Sequence, residues 1–406
     1  MSPVSSITLS RPAVVVLKPR RARPFFAREP WVYSHSVARV EGSAAPGDEV
    51  VVATHDGTFI ARGLYNPAST ISVRLYRWED APLDADFWED RISSALRLRS
   101  EILNLDAEHT AYRLVFSEAD GLSGLSVDRF DHWLVAHFSS LALYLRRSFL
   151  LDPLMKLSGI QGIIARADRG TALQEELDRQ DVQILGELPS EPVLIRESGL
   201  CYEVDLGAGQ KTGFYCDQRE NRRAVARYCA NRRVLDLFCY TGGFSLCALK
   251  YGPAASTLGI DSSATAVEQA QRNAARNGLD LASFESGDVL KQLERLRQEG
   301  QQFDVVICDP PKYARTAKDL AAALRGYLRL NLAAISVLIQ GGILATCSCS
   351  GRVDRRLLME LLGRVAEESR RPIQILEQRG QPPDHPISAA CPESDYLKCF
   401  ICRVGG

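Results

Sequence analysis

Three aspartates at strand ends and one glycine pair, which follows a strand carrying a fourth aspartate, occupy the places where an open α/β sheet meets a ligand. In VLDLFCYTGGF, residues 234–244, the mostly apolar run Val234 to Leu237 reads as a short buried strand carrying Asp236. Thr241, Gly242 and Gly243 then make a tight turn ahead of a helix over Phe244 to Tyr251. Paired glycines let backbone come close to a ligand, and the helix start presents free N–H groups to it. A turn of this kind at the carboxyl end of a strand is where a nucleotide-like ligand sits. It is not G-x-G-x-x-G, which disfavours a nicotinamide cofactor. Asp261 ends GID, roughly 20 residues beyond the glycine turn, placed to accept from ribose hydroxyls. Asp288, in SGDVL, ends the third strand on the side of an adenine. Asp309 opens DPPKY, whose two prolines force the chain out of the sheet and fix its path. Each aspartate alone is a weak signal, since Asp is common as a helix N-cap and for Asp261 taken singly that is the better reading, but in this order and spacing the set is stronger than its members.

Cysteine supplies a second chemistry. All eleven lie at or after Cys201. Cys347 and Cys349 alternate at the end of GGILATCSCS, on the sheet's carboxyl edge, so one side of the strand carries both. Cys399 and Cys402 form a C-x-x-C within YLKCFICRV, where residues three apart point to opposite faces of a strand. No second pair has matching spacing and no H-x-x-x-H occurs, so no metal is expected. Cys308 closes a buried strand and reads as inert core.

These residues need a scaffold, and the chain from Val193 offers one. Strands over Tyr202–Asp205, Val234–Leu237, Thr257–Ile260, Phe303–Ile307, Gly342–Thr346, Ile373–Glu377 and Leu397–Val404 alternate with helices over Asn221–Ala230, Ala264–Asn277, Val289–Glu299, Asp319–Leu338 and Arg355–Ser369. That pattern is a doubly wound sheet over residues 193–406. Residues 84–190 mix helix and strand and imply a small central α/β domain. Residues 12–80 carry several short strands between Pro46-Gly47 and Asp56-Gly57 turns, which implies a small β-barrel. The first 40 residues hold seven Lys or Arg against Glu29 alone, an excess that suits a phosphate backbone. Net charge over all 406 residues is −1, so any nucleic-acid surface must be local. The apolar run Ala13 to Leu17 is too short for a signal peptide, no stretch approaches a membrane span, and reduced thiols in a cytoplasmic protein are expected.

Taken in order, GQKTGFYCDQR, LDLFCYTGGF, GIDSSATAV, GDV, DPPKYA and TCSCSG resemble class I S-adenosylmethionine-dependent methyltransferases acting on RNA. Within that class the chain is most similar to the bacterial ribosomal RNA large subunit methyltransferase I family, which makes 5-methylcytosine in 23S rRNA. AREPWVYSHSVARVEG resembles that family's N-terminal PUA barrel, SEADGLSGLSVDRF its central domain, and DHPISAACPESDYLKCFICRV its C-terminal end. The resemblance implies a Rossmann-like methyltransferase domain after a PUA-like RNA-binding barrel. It implies that Asp236, Phe238, Thr241, Gly242 and Gly243 line the methionine end of the cofactor, with Asp261 on the ribose and Asp288 on the adenine. Thr212, Tyr215 and Arg219 lie in a segment implied to close over it. C5 of cytosine is a poor nucleophile until a thiolate adds at C6, and the family motif places that nucleophile at Cys349, with Cys347 as core or wall. Asp309 is then the acid near N3, besides lining the cofactor site, and Lys312 meets phosphate or the base edge. Lys18, Arg20, Arg21 and Arg23 are the expected RNA contacts. Phe25, Phe26 and Trp31 suit stacking on bases or core packing equally.

Two alternatives stay open: an RNA methyltransferase acting on guanine or a ring nitrogen, and an rRNA-binding assembly factor with a non-catalytic domain. The nucleotide position, the form of the rRNA substrate, the base that removes the C5 proton and the oligomeric state, a homodimer included, are not set by the sequence.

Overall fold

The computed structural model describes residues 12–168, 172–178, 182–206, 213–313 and 319–405. Its chain divides into two compact units whose boundaries interleave: residues 1–104, 113–188 and 387–392 form the first, the remainder the second.

The first unit holds two sheets. Strands Ala13–Leu17, Trp31–Tyr33, Val37–Glu41, Glu49–Ala53, Phe59–Tyr65 and Ile71–Arg77 make a six-stranded sheet around Val15, Leu17, Val32, Val50, Val52 and Val73. Its β-branched residues suit a pleated surface, and Val15, Val32, Val50, Val52 and Val73 are wholly buried. Five strands between Ala111 and Gly186 form the other sheet. Helix Ala85–Arg97 begins at Asp84, whose side chain accepts from Phe87 N, and buries Trp88 and Ile92. The helix expected over 140–157 is two, Leu141–Tyr144 and Arg147–Met155.

The second unit carries a seven-stranded sheet. Its strands are β1 (Arg233–Leu237), β2 (Ser256–Asp261), β3 (Ala282–Ser286), β4 (Phe303–Cys308), β5 (Leu338–Ser348), β6 (Ile373–Arg379) and β7 (Lys398–Val404). Their spatial order is 3-2-1-4-5-7-6, with β1 to β5 parallel and β7 antiparallel to both neighbours. Helices α1 (Arg219–Ala226), α2 (Gly243–Tyr251), α3 (Ala264–Arg276), α4 (Val289–Gln298), α5 (Leu320–Ser336) and α6 (Arg355–Ser369) cover the two faces. One cluster packs Leu235, Leu237, Val306 and Leu344 with α4, α5 and α6; the other packs Val234, Val305, Ile343 and Cys347 with α1 and α2. Two-sided burial explains the near-continuous apolar runs of β1 and β4. The order reverses between β1 and β4, and a doubly wound sheet opens its crevice there.

Candidate active site

At the carboxyl end of β1 the backbone is strained. Phe238 and Tyr240 hold left-handed φ of 62° and 49°, a conformation that costs about 1–3 kcal/mol for each non-glycine residue. Tyr240 is compensated twice: its N–H donates to Asp261 Oδ2 at 3.0 Å and its hydroxyl to Gly213 O at 2.9 Å. The two glycines answer different needs. Gly242 sits at φ 87°, and Gly243 lies where a Cβ would come within 2.6 Å of Arg222 Nε. Arg222 itself is buried in an ion pair with Glu197 and donates to Tyr215 O, tying the segment after residue 213 to the turn.

Asp236 is wholly buried. Its Oδ2 accepts from both the N–H and the hydroxyl of Ser245, while Oδ1 has no partner among the described residues. Burial pushes this carboxyl up to about 7 in spite of Ser245. Asp261, half-buried at the tip of β2, is aligned by the N–H groups of Tyr240 and Ser263. Thr241 is buried and its carbonyl accepts from Asn273.

A second group gathers past β4 and β5. Asp309 is half-buried, and burial first and the charge of Asp217 second push its carboxyl up to about 7, while Gln218 donates to it. Cys349 stands one residue beyond β5 and is half-buried, whereas Cys347 is sealed opposite Cys399 in the core. Tyr215 brings the two groups together: besides burial, the charges of Asp217, Asp309, Cys349 and Asp261 all push its phenol upward. Its ring stands edge-on to Tyr240 at 5.3 Å.

The remaining expected residues have different surroundings. Asp288 is exposed and caps α4, accepting from Lys291 N. Arg219 is buried against Asp384 at 2.7 Å, so its guanidinium anchors the segment rather than facing the glycine turn. Lys312 is exposed after the two prolines, and Lys18, Arg20, Arg21 and Arg23 are exposed on the first unit. Thr212 lies outside the described residues. The structure adds Tyr240, Arg222 and Lys398. Lys398 is buried, donates to Ser350 O at 2.6 Å and Tyr396 O at 2.8 Å, and is pulled down to about 8 by burial. It thereby fixes the turn that carries Cys349; a solitary lysine inside the apolar run YLKCFICRV is the sequence signal for it.

Comparison with known proteins gives the same picture. Residues 151–398 match the S-adenosylmethionine-dependent methyltransferase family and residues 15–78 the PUA-like domain. The ribosomal RNA large subunit methyltransferase I of Erwinia tasmaniensis is 38% identical over 96% of this chain and 99% of its own. That of Aeromonas salmonicida is 38% identical over 95% and 97%. A solved structure described as a SAM-dependent methyltransferase from Streptococcus mutans superposes with a TM-score of 0.82 at 18% identity, covering 96% of this chain and all of the other. The cofactor's chemistry fits the β1–β2 end: an ammonium suits the orphaned buried oxygen of Asp236, and a diol suits the backbone-aligned carboxylate of Asp261. With both domains matched and relatives aligned over nearly their whole length, this chain belongs to the S-adenosylmethionine-dependent ribosomal RNA large subunit methyltransferase I family.

Proposed function

We propose that the protein methylates C5 of a cytosine in 23S ribosomal RNA, in the cytoplasm, through a covalent bond between Cys349 and C6. One observation carries the reading. Cys349 is the half-buried thiol at the sheet's carboxyl edge, and it shares the surroundings of Tyr215 with an acid, Asp309, whose proton is held up to about 7. The name of the relatives supplies the RNA.

S-adenosylmethionine supplies an electrophilic methyl group when bound. Asp236 would hold its ammonium, Gly242 and Gly243 would let its methionine end lie against the backbone, and Asp261 would take its ribose hydroxyls. Phe238, Thr241 and Tyr215 would wall the same space. The remaining residues prepare the acceptor. The Cys349 thiolate adds to C6 and breaks the ring's aromaticity, which makes C5 enamine-like. Asp309, protonated near neutrality, donates to N3 and stabilises the charge that addition places there. Lys312, next to Asp309, would meet a phosphate, and Lys18, Arg20, Arg21 and Arg23 would hold the RNA backbone from the PUA-like domain.

The test uses a 23S rRNA transcript carrying 5-fluorocytosine, with S-adenosylmethionine. Fluorine cannot leave C5 as a proton does, so a cysteine attacking C6 stays bonded to the RNA. A gel-shifted adduct that vanishes in Cys349→Ser and survives in Cys347→Ser is expected. Methyl transfer to ordinary rRNA with no adduct would overturn the covalent reading and point to another base or atom.

A further inference from the structure

The covalent reading leaves one proton unaccounted for. Once C5 carries the new methyl group it still bears its hydrogen, and the enzyme is released only when a base removes it. Asp309 is poorly suited to that task. Its proton serves N3 in the plane of the ring, whereas the C5–H bond must break perpendicular to that plane, with its electrons flowing toward C6.

Among the neighbours, most are already committed. Both oxygens of Asp261 accept from backbone N–H groups. Asp236 belongs to the glycine turn, where Ser245 fixes one oxygen. Lys398 donates to two carbonyls. The phenol of Tyr215 is held protonated by burial and the surrounding acids.

Asp217 differs. It lies on the short turn Cys216–Gln218, next to the glutamine that donates to Asp309. The Tyr396 hydroxyl donates to its Oδ2 at 2.6 Å, which pins the carboxylate, yet Oδ1 is buried and has no hydrogen-bond partner among the described residues. A buried carboxylate oxygen left unpaired beside a second acid is costly unless something arrives to meet it. It neighbours the charges of Asp309 and Cys349 around one tyrosine ring.

We infer that Asp217 is the general base that takes the C5 proton, an assignment resting on the covalent reading above. The C5–H bond breaks and its proton passes to Asp217 Oδ1. The bonding pair forms the C5=C6 double bond, the S–C6 bond breaks, and Cys349 leaves as thiolate. N3 gives its proton back to Asp309, and Asp217 releases its own to water.

The test compares Asp217→Asn with wild type, full-length, on 23S rRNA transcripts made with ordinary or 5-fluorinated cytosine. The fluorinated adduct needs no proton removal, so the variant should form it as wild type does. On ordinary RNA its turnover should fall about 10²–10⁴-fold, the usual share of a general base, and a methylated protein–RNA adduct should accumulate. That adduct should be absent when Cys349→Ser is added. Tyr396→Phe, which frees the carboxylate from its anchor, should give the same adduct in lower yield. Normal turnover without an adduct in both variants overturns the assignment. So does failure of Asp217→Asn to form the fluorinated adduct while still binding S-adenosylmethionine, since Asp217 would then act before methyl transfer. If wild type itself forms no fluorinated adduct, the covalent reading falls first and takes this one with it.

Discussion

Buried and half-buried carboxylates are treated in opposite ways in two regions of this molecule. In the first unit Glu175 pairs with Arg74, Asp120 with Arg99 and Asp128 with Arg113, each within 3.1 Å. At the carboxyl edge of the second unit's sheet, Asp236, Asp309 and Asp217 have no ion pair among the described residues, and two of them keep an unpartnered oxygen. Guanidinium pairing neutralises an acid and freezes it, which is what a frame requires. An unpaired acid keeps both its desolvation penalty and its freedom to bind or exchange a proton. The second unit also contains the frame type: Arg219 and His385 outweigh burial and hold Asp384 well below the usual carboxylate range. The line therefore runs between frame and site, not between units.

The largest effect expected is chemical. Cys349→Ser should lose turnover on the order of 10⁴-fold or more, as nucleophile deletions do, while calorimetry shows S-adenosylmethionine still bound. Retained turnover would remove the thiol from the site and leave the edge acids without a partner in catalysis. Next comes the frame. Arg219→Met leaves the buried Asp384 without its guanidinium and with His385 beside it, and breaking a buried pair costs about 3–5 kcal/mol, read as a lower urea midpoint. A midpoint close to wild type would make Asp384 a tolerated acid like those at the edge.

Asp309→Asn tests the contrast from the other side. Losing the proton that Asp309 can transfer to N3 should lower turnover about 10²–10⁴-fold. Stability should move the opposite way from Arg219→Met. The Asp236 and Asp309 carboxyls sit at about 7 in the fold against an ordinary 3.8, so the native state keeps protons that the unfolded chain has released. Stability consequently falls as pH rises from about 4 to 7, and Asp309→Asn should flatten part of that fall and melt higher than wild type at pH 8. In wild type, turnover should decline above about pH 7 as Asp309 loses its proton. Identical pH slopes of melting temperature in variant and wild type would show that Asp309 is solvated after all.

How much of this was legible beforehand follows from where each signal resides. β1, β4 and the helices α3, α4 and α6 announce themselves through apolar runs or the helical period, because their burial is continuous along the chain. β3 is an edge strand with only Phe284 buried, so its own pattern is faint; it was placed only through SGDVL, and it ends at Ser286, two residues before Asp288. β5 was legible only from Gly342, since Gly341 and Gly342 resemble a turn, but the strand begins at Leu338 and passes through a register shift. The break at Leu145–Arg146 escapes because both halves keep helix formers. Around the crevice, the glycine turn and the strand-end positions of Asp261 and Asp309 were legible because local spacing defines them, whereas Asp288 stands past its strand as the cap of α4. The partner of Arg219 was not: Asp384 lies 165 residues away, and nothing local marks the pair. Asp217 was hidden by its own motif, where only the distant Tyr396 shows which oxygen is pinned and which is open.

The smallest effect concerns cations, and it carries the same distinction to the surface. Arg74, Arg99 and Arg113 are inside and paired, whereas Lys18, Arg20, Arg21 and Arg23 are exposed and meet no carboxylate among the described residues. Exposed cations gathered within one six-residue stretch of a PUA-like domain are free to replace counterions along a phosphate backbone. Each contact made to RNA should contribute about 0.7–0.9 to the slope of log K against log salt. Arg21→Ala should thus weaken rRNA binding several-fold at low salt, reduce that slope by somewhat less than one, and leave both melting temperature and the fluorinated adduct at saturating RNA unchanged. The discriminating readout is the slope. A weaker complex with an unaltered slope would mean that Arg21 shapes the domain instead of meeting phosphate, and would move it from the free cations to the frame.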